Sequence, residues 1–352
     1  MLSWFAKRKR DLPWRRTKDS YRIWLSEIML QQTRVAAVIP YYERFIENFP
    51  DVNALASAPT DHVLKSWSGL GYYSRAKNLQ SAAKEIVARH SGEFPRTHEW
   101  ALALPGIGRY TAAAVLSIAY DAPHAVLDGN VARVLARIFA LRGDLRVPAT
   151  WRQLEAAAQE LLAMKSPGDW NQSMMELGAT VCTPKSPRCD ECPVKKWCRA
   201  RELGIAEKLP SPRKKRTPID VTLAAAVLLD PRGRTLLIRQ PGGDGALFSR
   251  MWQFPALEAI RADSGVAIAA YLKEKFQLMT LGSLLPLAIA RHTVTFRNIR
   301  LEPYLMRVSH LPRIVDTCIV ALADVPSMSI SNATRKIANG AMADPALASD
   351  LQ

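Results

Sequence analysis

The chain has 352 residues, 48% of them hydrophobic, which is long for one domain and enough for two buried cores. Its formal net charge of +16 points to a polyanionic partner, nucleic acid first and an anionic membrane surface second. No uncharged apolar run reaches the eighteen or so residues of a membrane span, and the start Met1-Leu2-Ser3-Trp4-Phe5-Ala6-Lys7-Arg8 lacks a leader's apolar core, so a cytoplasmic protein is expected.

Residues 20–203 read as helical. Apolar residues recur at three- and four-residue spacings over 21–38, 63–70, 79–87, 110–119, 131–141 and 151–162. Turn and cap signals separate these stretches, at Phe49-Pro50-Asp51, Ala58-Pro59-Thr60, Pro105-Gly106 and Asp128-Gly129-Asn130. In the first stretch Glu27 shares a helical face with Ile23 and Leu30. A carboxylate among apolar side chains has its charged form disfavoured, and a raised carboxyl group is what a general acid needs near neutrality. The same pattern suits a buried glutamate satisfied by a neighbour such as Arg22, and pattern alone leaves both readings open.

Leu104-Pro105-Gly106-Ile107-Gly108 lies between two helical stretches. Its glycines allow a reversal with positive φ and bare the N–H groups of the next helix, a site able to grip a phosphate without reading sequence. An ordinary helix–helix turn is the plainer reading of an isolated Pro-Gly-x-Gly. Asp128 opens Asp128-Gly129-Asn130-Val131, where either Asp128 or Asn130 is a natural N-cap; if Asn130 caps, Asp128 is free to face a substrate.

Four of the five cysteines, Cys182, Cys189, Cys192 and Cys198, stand in one short stretch with six, two and five residues between them. Clustering without an export signal argues for a metal site and against a disulfide framework. Spacing alone leaves zinc and an iron–sulfur cluster open.

Beyond Leu209 the composition changes. Residues 208–219 form a basic, proline-rich linker. Residues 220–325 read as α+β, with strands over 221–229 and 234–238 around Asp230-Pro231-Arg232-Gly233, a helix over 262–276 and one strand over 293–308. Residues 326–352 are small, polar and weakly patterned, and are read as a disordered tail.

Several segments resemble the adenine DNA glycosylase family of the helix-hairpin-helix, endonuclease III-like superfamily. They are Leu12-Pro13-Trp14, Ser26-Glu27-Ile28-Met29-Leu30-Gln31-Gln32-Thr33, Gly69-Leu70-Gly71-Tyr72-Tyr73-Ser74-Arg75, Leu127-Asp128-Gly129-Asn130-Val131 and Asn171-Gln172. Together with the hairpin and the cysteine spacing they run in order over residues 10–205. The resemblance implies an all-α glycosylase domain over 1–207, with one [4Fe-4S] cluster on the 182–198 loop. It implies that Glu27 protonates a flipped adenine and that Asp128 stabilises the oxocarbenium-like sugar. Arg10, Trp14, Leu30, Gln172 and Asn130 would line the base pocket. Gln32 and Tyr72 would wedge into the duplex, and Gly106 and Gly108 would hold phosphate. Tyr110 stands where bifunctional relatives carry a Schiff-base lysine, which implies a monofunctional glycosylase, with the Tyr110 hydroxyl placed to bond Asp128.

The segment Gly245-Ala246-Leu247-Phe248-Ser249-Arg250-Met251-Trp252-Gln253-Phe254-Pro255 resembles the family's Nudix-like domain, which recognises 8-oxoguanine opposite adenine. Residues 257–276 hold only Glu258, Asp263 and Glu274 as acids, so the glutamate cluster of a Nudix hydrolase is missing. Aligned on Arg291-His292-Thr293, the chain has Val294-Thr295-Phe296 where many members have Phe-Ser-His, leaving His292 and Thr295 as the lesion-reading residues. The expected partner is double-stranded DNA with A:8-oxoguanine or A:G mispairs, and the expected state is a monomer. The competing readings are an endonuclease III-type lyase on oxidised pyrimidines, a Nudix pyrophosphatase and a non-catalytic iron–sulfur DNA-binding protein. Tyr110, the absent glutamates and the two carboxylates argue against each in turn.

Overall fold

In a computed structural model the chain forms two compact units, Met1–Lys214 and Lys215–Gln352. The structure describes residues 1–211, 217–239, 251–260, 263–278, 283–294, 296–328 and 330–348. The basic run at 212–216, the segment 245–250 and Thr295 lie outside them.

The first unit is helical. Its helices are α1 (Leu2–Arg8), α2 (Ser20–Leu30), α3 (Val35–Asn48), α4 (Val52–Ser57), α5 (Thr60–Ser66), α6 (Ser74–Arg89), α7 (His98–Ala103), α8 (Arg109–Tyr120), α9 (Gly129–Ile138), α10 (Pro148–Glu160), α11 (Pro167–Thr180) and α12 (Arg199–Glu202). The stretch 21–38 is two helices, because Gln32 takes φ +57 and breaks the rod after Leu30. α2 packs against α8, and α11 packs against both α8 and α9, so four helices bring distant segments to one place. Their buried faces, with Leu25 and Met29 of α2, Val115 and Leu116 of α8, Val134 and Leu135 of α9 and Leu177 of α11, belong to one core.

The second unit is α+β. Its elements are β1 (Ile219–Leu229), β2 (Arg234–Arg239), β3 (Trp252–Gln253), β4 (Ala256–Glu258), α13 (Ser264–Phe276), β5 (Leu285–Pro286), β6 (Ala290–Val294), β7 (Arg297–Arg307), β8 (Thr317–Ala321), α14 (Asn332–Met342) and α15 (Pro345–Ala348). Among the described residues they form one mixed sheet, with β1 and β7 paired in parallel along their whole length, from Ile219 opposite Arg297 to Leu229 opposite Arg307. β1 is apolar on both faces. Ala224, Ala226 and Leu228 pack on Ile268, Leu272 and Phe276 of α13, and Ala225, Val227 and Leu229 share a core with Ile337, Ala338 and Ala341 of α14.

Two expectations are corrected here. The strand expected over 293–308 is the hairpin of β6 and β7, with Val294 opposite Arg297; its turn carries neither glycine nor asparagine, so no turn signal marked it. The expected disordered tail instead supplies α14, a layer of the second unit. Ser331 caps α14 through its hydroxyl to the Thr334 N–H at 3.0 Å. The buried stripe of α14 is largely alanine, which reads as weak hydrophobicity in sequence yet packs closely on a sheet.

Candidate functional site

The Asp19 side chain accepts from the Arg22 N–H and starts α2, which carries Glu27 into the core. Glu27 is 5% exposed. Its partner is Tyr110, not Arg22: the Tyr110 hydroxyl, from the first turn of α8, donates to Glu27 Oε2 at 2.6 Å and lies 3.2 Å from Met175 Sδ. Burial pushes the Glu27 carboxyl up to about 7; the Asp128 charge adds to this, and the Tyr110 hydrogen bond and Arg15 oppose it. The Tyr110 hydroxyl is itself raised, by burial and then by the two carboxylates, so it stays a neutral donor.

Asp128 has extended backbone angles, and its Oδ1 accepts from the N–H groups of Asn130 and Val131 at 2.9 and 2.7 Å. Asp128, not Asn130, therefore caps α9. Asn130 Nδ2 donates to the second oxygen, Oδ2, at 2.9 Å. Nor does Tyr110 bond Asp128, since its hydroxyl is directed to Glu27. Capping does not withdraw Asp128 from the site: it lines the same cavity of about 500 Å³ as Glu27 and Tyr110. Arg10, Trp14, Leu30, Gln172 and Asn130 line that cavity too, as do Gln32 and Met175. Trp14 is also a core residue, edge-on to Tyr42 with ring centroids 5.3 Å apart.

A second cleft of about 250 Å³ is lined by Gln32, Tyr72 and Gly106, together with Gln31, Arg75 and Asn78. Gln32 and Tyr72 both occupy the left-handed backbone region, at φ +57 and +49, a strained state for non-glycine residues that recurs at functional sites. Gly106 has φ +75, and a Cβ there would come within 2.6 Å of the Asn78 Cβ. Gly108, expected to share the reversal, is extended and caps α8 with open space around it. The hairpin therefore needs its first glycine by geometry and leaves the second free to admit a ligand.

Three charged groups escaped the sequence reading. Glu176 of α11 has no exposed side-chain surface and accepts from Arg10 Nη2 and Arg15 Nη2, both at 2.8 Å. Those bonds hold its carboxyl down at about 2, against the opposing effect of burial. Arg137 is 1% exposed and donates to the carbonyls of Thr183, Pro184 and Leu209. It also reaches Cys182 Sγ at 3.3 Å. Arg133 joins Asn130 Oδ1 to the Cys182 carbonyl, each at 2.9 Å, so a continuous set of hydrogen bonds runs from Asp128 to the first cysteine. The apolar-face signal that singled out Glu27 is absent at Glu176, whose neighbours three and four residues away are Gln172, Ser173, Ala179 and Thr180.

Cys182, Cys189, Cys192 and Cys198 line one small hollow together with Arg137, Arg188 and Arg201. No group of three His, Cys, Asp or Glu side chains among the described residues is gathered to hold a single metal ion. Four soft thiol donors round a hollow, faced by a buried cation that no described carboxylate neutralises, suit an anionic iron–sulfide cluster.

In the second unit His292 lies on β6 opposite Ile299, half-buried, with its imidazole pKa lowered by burial and then by Lys336. Thr295 falls outside the described residues.

Residues 25–164 match the model of the HhH-GPD superfamily base excision DNA repair proteins, and residues 182–198 match the iron–sulfur binding domain of endonuclease III. The chain is 48% identical over 218 residues to human adenine DNA glycosylase, covering 59% of this chain and 40% of that protein. The mouse adenine DNA glycosylase is 38% identical over 309 residues, 73% of this chain and 59% of its own length. That of Buchnera aphidicola is 41% identical over 218 residues, 62% of each. The chain belongs to the adenine DNA glycosylase family. It spans about half the length of these curated relatives. A thermostable thymine-DNA glycosylase is 30% identical, with a TM-score of 0.53, covering 57% of this chain and 93% of that one. An endonuclease III trapped with DNA is 22% identical with a TM-score of 0.50, covering 58% and 92%, and shares the fold. Loop 182–198, which carries the four cysteines, holds a [4Fe-4S] cluster. No helix among the described residues is long and apolar enough to cross a membrane.

Proposed function

We propose that the chain is a monofunctional adenine DNA glycosylase, acting as a monomer on adenine opposite 8-oxoguanine or guanine in duplex DNA. The observation that carries the reading is Glu27: a carboxyl group held near a pKa of about 7 by burial, in one cavity with a second carboxylate. A flipped adenine in this cavity meets a proton donor at neutral pH. Tyr110 engages Oε2 of Glu27, leaving the other oxygen to carry the proton to a ring nitrogen of the base. Protonation makes the base a neutral leaving group as the N-glycosidic bond breaks. The sugar becomes cationic, and Asp128, its orientation fixed by three donors on α9, stabilises that charge until water adds. Position 110 offers a hydroxyl and no amine, so no Schiff base forms there and the strand stays intact.

Gln32 and Tyr72 fill the gap left by the base, Gly106 and Gly108 take a backbone phosphate, and the cluster positions its loop against DNA. The second unit, read as Nudix-like and without hydrolase acids, reads the lesion through His292 and Thr295. The test is incubation with a labelled duplex containing adenine opposite 8-oxoguanine, with and without alkali. Cleavage only after alkali is the expected result. Cleavage without alkali would favour a lyase, and no cleavage in either case would overturn the reading.

A further inference from the structure

The two left-handed residues of the second cleft are held by one buried side chain. Arg75, in the first turn of α6, is 8% exposed. Its Nη1 donates to the carbonyls of Ile28, Met29 and Gln31, at 2.9, 2.8 and 2.6 Å. These close the C-terminus of α2, one turn beyond Glu27. Its Nη2 donates to Thr33 Oγ1 at 3.2 Å and to the carbonyls of Leu70 and Gly71 at 3.3 and 3.1 Å. The guanidinium carbon also lies 5.5 Å from the Tyr72 ring centroid and 5.3 Å from that of Trp67. One arm of the fork thus fixes the backbone flanking Gln32, and the other spans from Thr33 to the backbone before Tyr72.

We infer that Arg75 is a positioning residue that presets the Gln32 and Tyr72 wedge for base extrusion. This rests on the reading of that cleft as the wedge of a glycosylase. A non-glycine residue in the left-handed region is strained and persists only where its surroundings impose it. Here two such residues face one cleft, and neither loop is regular structure. A carboxylate could not serve at position 75, because every acceptor is a carbonyl or hydroxyl oxygen. A lysine could not serve fully either: its ammonium is a point donor, whereas the planar guanidinium reaches two loops at once. Arg75 touches neither Glu27 nor Asp128, so its loss should spare the chemistry and impair delivery of the base.

The experiment compares wild type with Arg75→Lys on a duplex carrying 2-aminopurine in place of the target adenine. Its fluorescence rises when the base leaves the stack. Wild type should show the rise. Arg75→Lys, with helical circular dichroism and cluster absorbance intact, should lose most of it and should excise adenine from A:8-oxoguanine duplex 10- to 100-fold more slowly in single turnover. On a duplex with a bulged, unpaired adenine the deficit should shrink to within a few-fold. If Arg75→Lys fails to fold, Thr33→Val removes one acceptor of the clamp and should reduce the rise two- to five-fold. A full fluorescence rise in whichever variant folds, or an equal rate deficit on paired and bulged adenine, would overturn the inference. No rise in wild type itself would instead sink the glycosylase reading.

Discussion

Two glutamates are buried in the walls of the helical unit, and they are held in opposite charge states. Glu27, on α2, has a tyrosine hydroxyl as its partner and titrates at about 7. Glu176, on α11, has two arginines and titrates at about 2. Burial acts upward on both; what decides the outcome is whether a cation is supplied. Glu27 is left short of positive charge and keeps its proton. Glu176 is saturated with it and serves as an anchor for Arg10, which itself lines the cavity. Glu27 is thus arranged for proton transfer and Glu176 for rigidity.

The largest expected effect tests the first half of that contrast. Glu27→Gln keeps the shape and the bond to Tyr110 but cannot give a proton. Single-turnover excision should fall roughly 100- to 10,000-fold, the usual worth of general acid catalysis, while duplex affinity stays within a few-fold. Excision near the wild-type rate would erase the distinction between the two glutamates. Glu176→Gln tests the second half. It leaves the largely buried Arg15 and the partly exposed Arg10 without their counter-charge, which costs up to about 3 kcal/mol, solvent at Arg10 keeping it below the cost at a fully buried pair. The urea midpoint of the helical unit should drop accordingly, and an unchanged midpoint would show that Arg10 and Arg15 find water or another partner.

The same contrast fixes the sign of a stability effect at Glu27. A carboxyl group raised from 4.5 to about 7 stabilises the fold fully below pH 4.5, and this contribution is lost as the pH rises through 7. At about 1.4 kcal/mol per pH unit, the loss reaches about 3 kcal/mol. Glu27→Gln, inactive, should therefore be more stable than wild type at pH 8 by up to about 3 kcal/mol. The two proteins should converge at pH 4. A variant that is no more stable at pH 8 would mean that Glu27 is not strained by its burial.

Much of this site was legible in the sequence, and what was missed has a common cause. Glu27 stood out because Ile23 and Leu30 share its helical face, and Asp128 because Asp-Gly-Asn before an apolar helix is a cap signal. Periodicity names a residue's face and is silent on its partner. Tyr110 meets Glu27 across 83 residues and Arg10 meets Glu176 across 166; the packing of α8 on α2 makes the first pair, and that of α11 on α1, which Arg10 follows, makes the second. That is why Tyr110 was expected on Asp128, and why Arg22, a helical neighbour, was weighed as the Glu27 partner. In the second unit β1 reads correctly as a strand, but its apolar run cannot say what covers each face. α14 covers one of them with alanines, which hydropathy discounts.

The smallest effect is the most discriminating, because it bears on why Glu27 titrates where it does. The Tyr110 hydroxyl donates to Glu27 Oε2, a bond that favours the charged carboxylate and so lowers a pKa that burial raises. The acid form is the active one, so excision should be level below pH 7 and fall about tenfold per pH unit above it. Tyr110→Phe removes the opposing bond and leaves the burial. The Glu27 pKa should then climb further, and the falling limb of the rate profile should move to higher pH. A hydrogen bond to a charged group is worth about 1.5 kcal/mol, so the expected displacement is about one pH unit. The plateau rate at low pH should change little if Tyr110 only tunes the proton. A limb that moves to lower pH would mean that the hydroxyl stabilises the neutral acid. A plateau lowered 100-fold with an unmoved limb would mean that Tyr110 contacts the base or sugar and is a catalytic group in its own right.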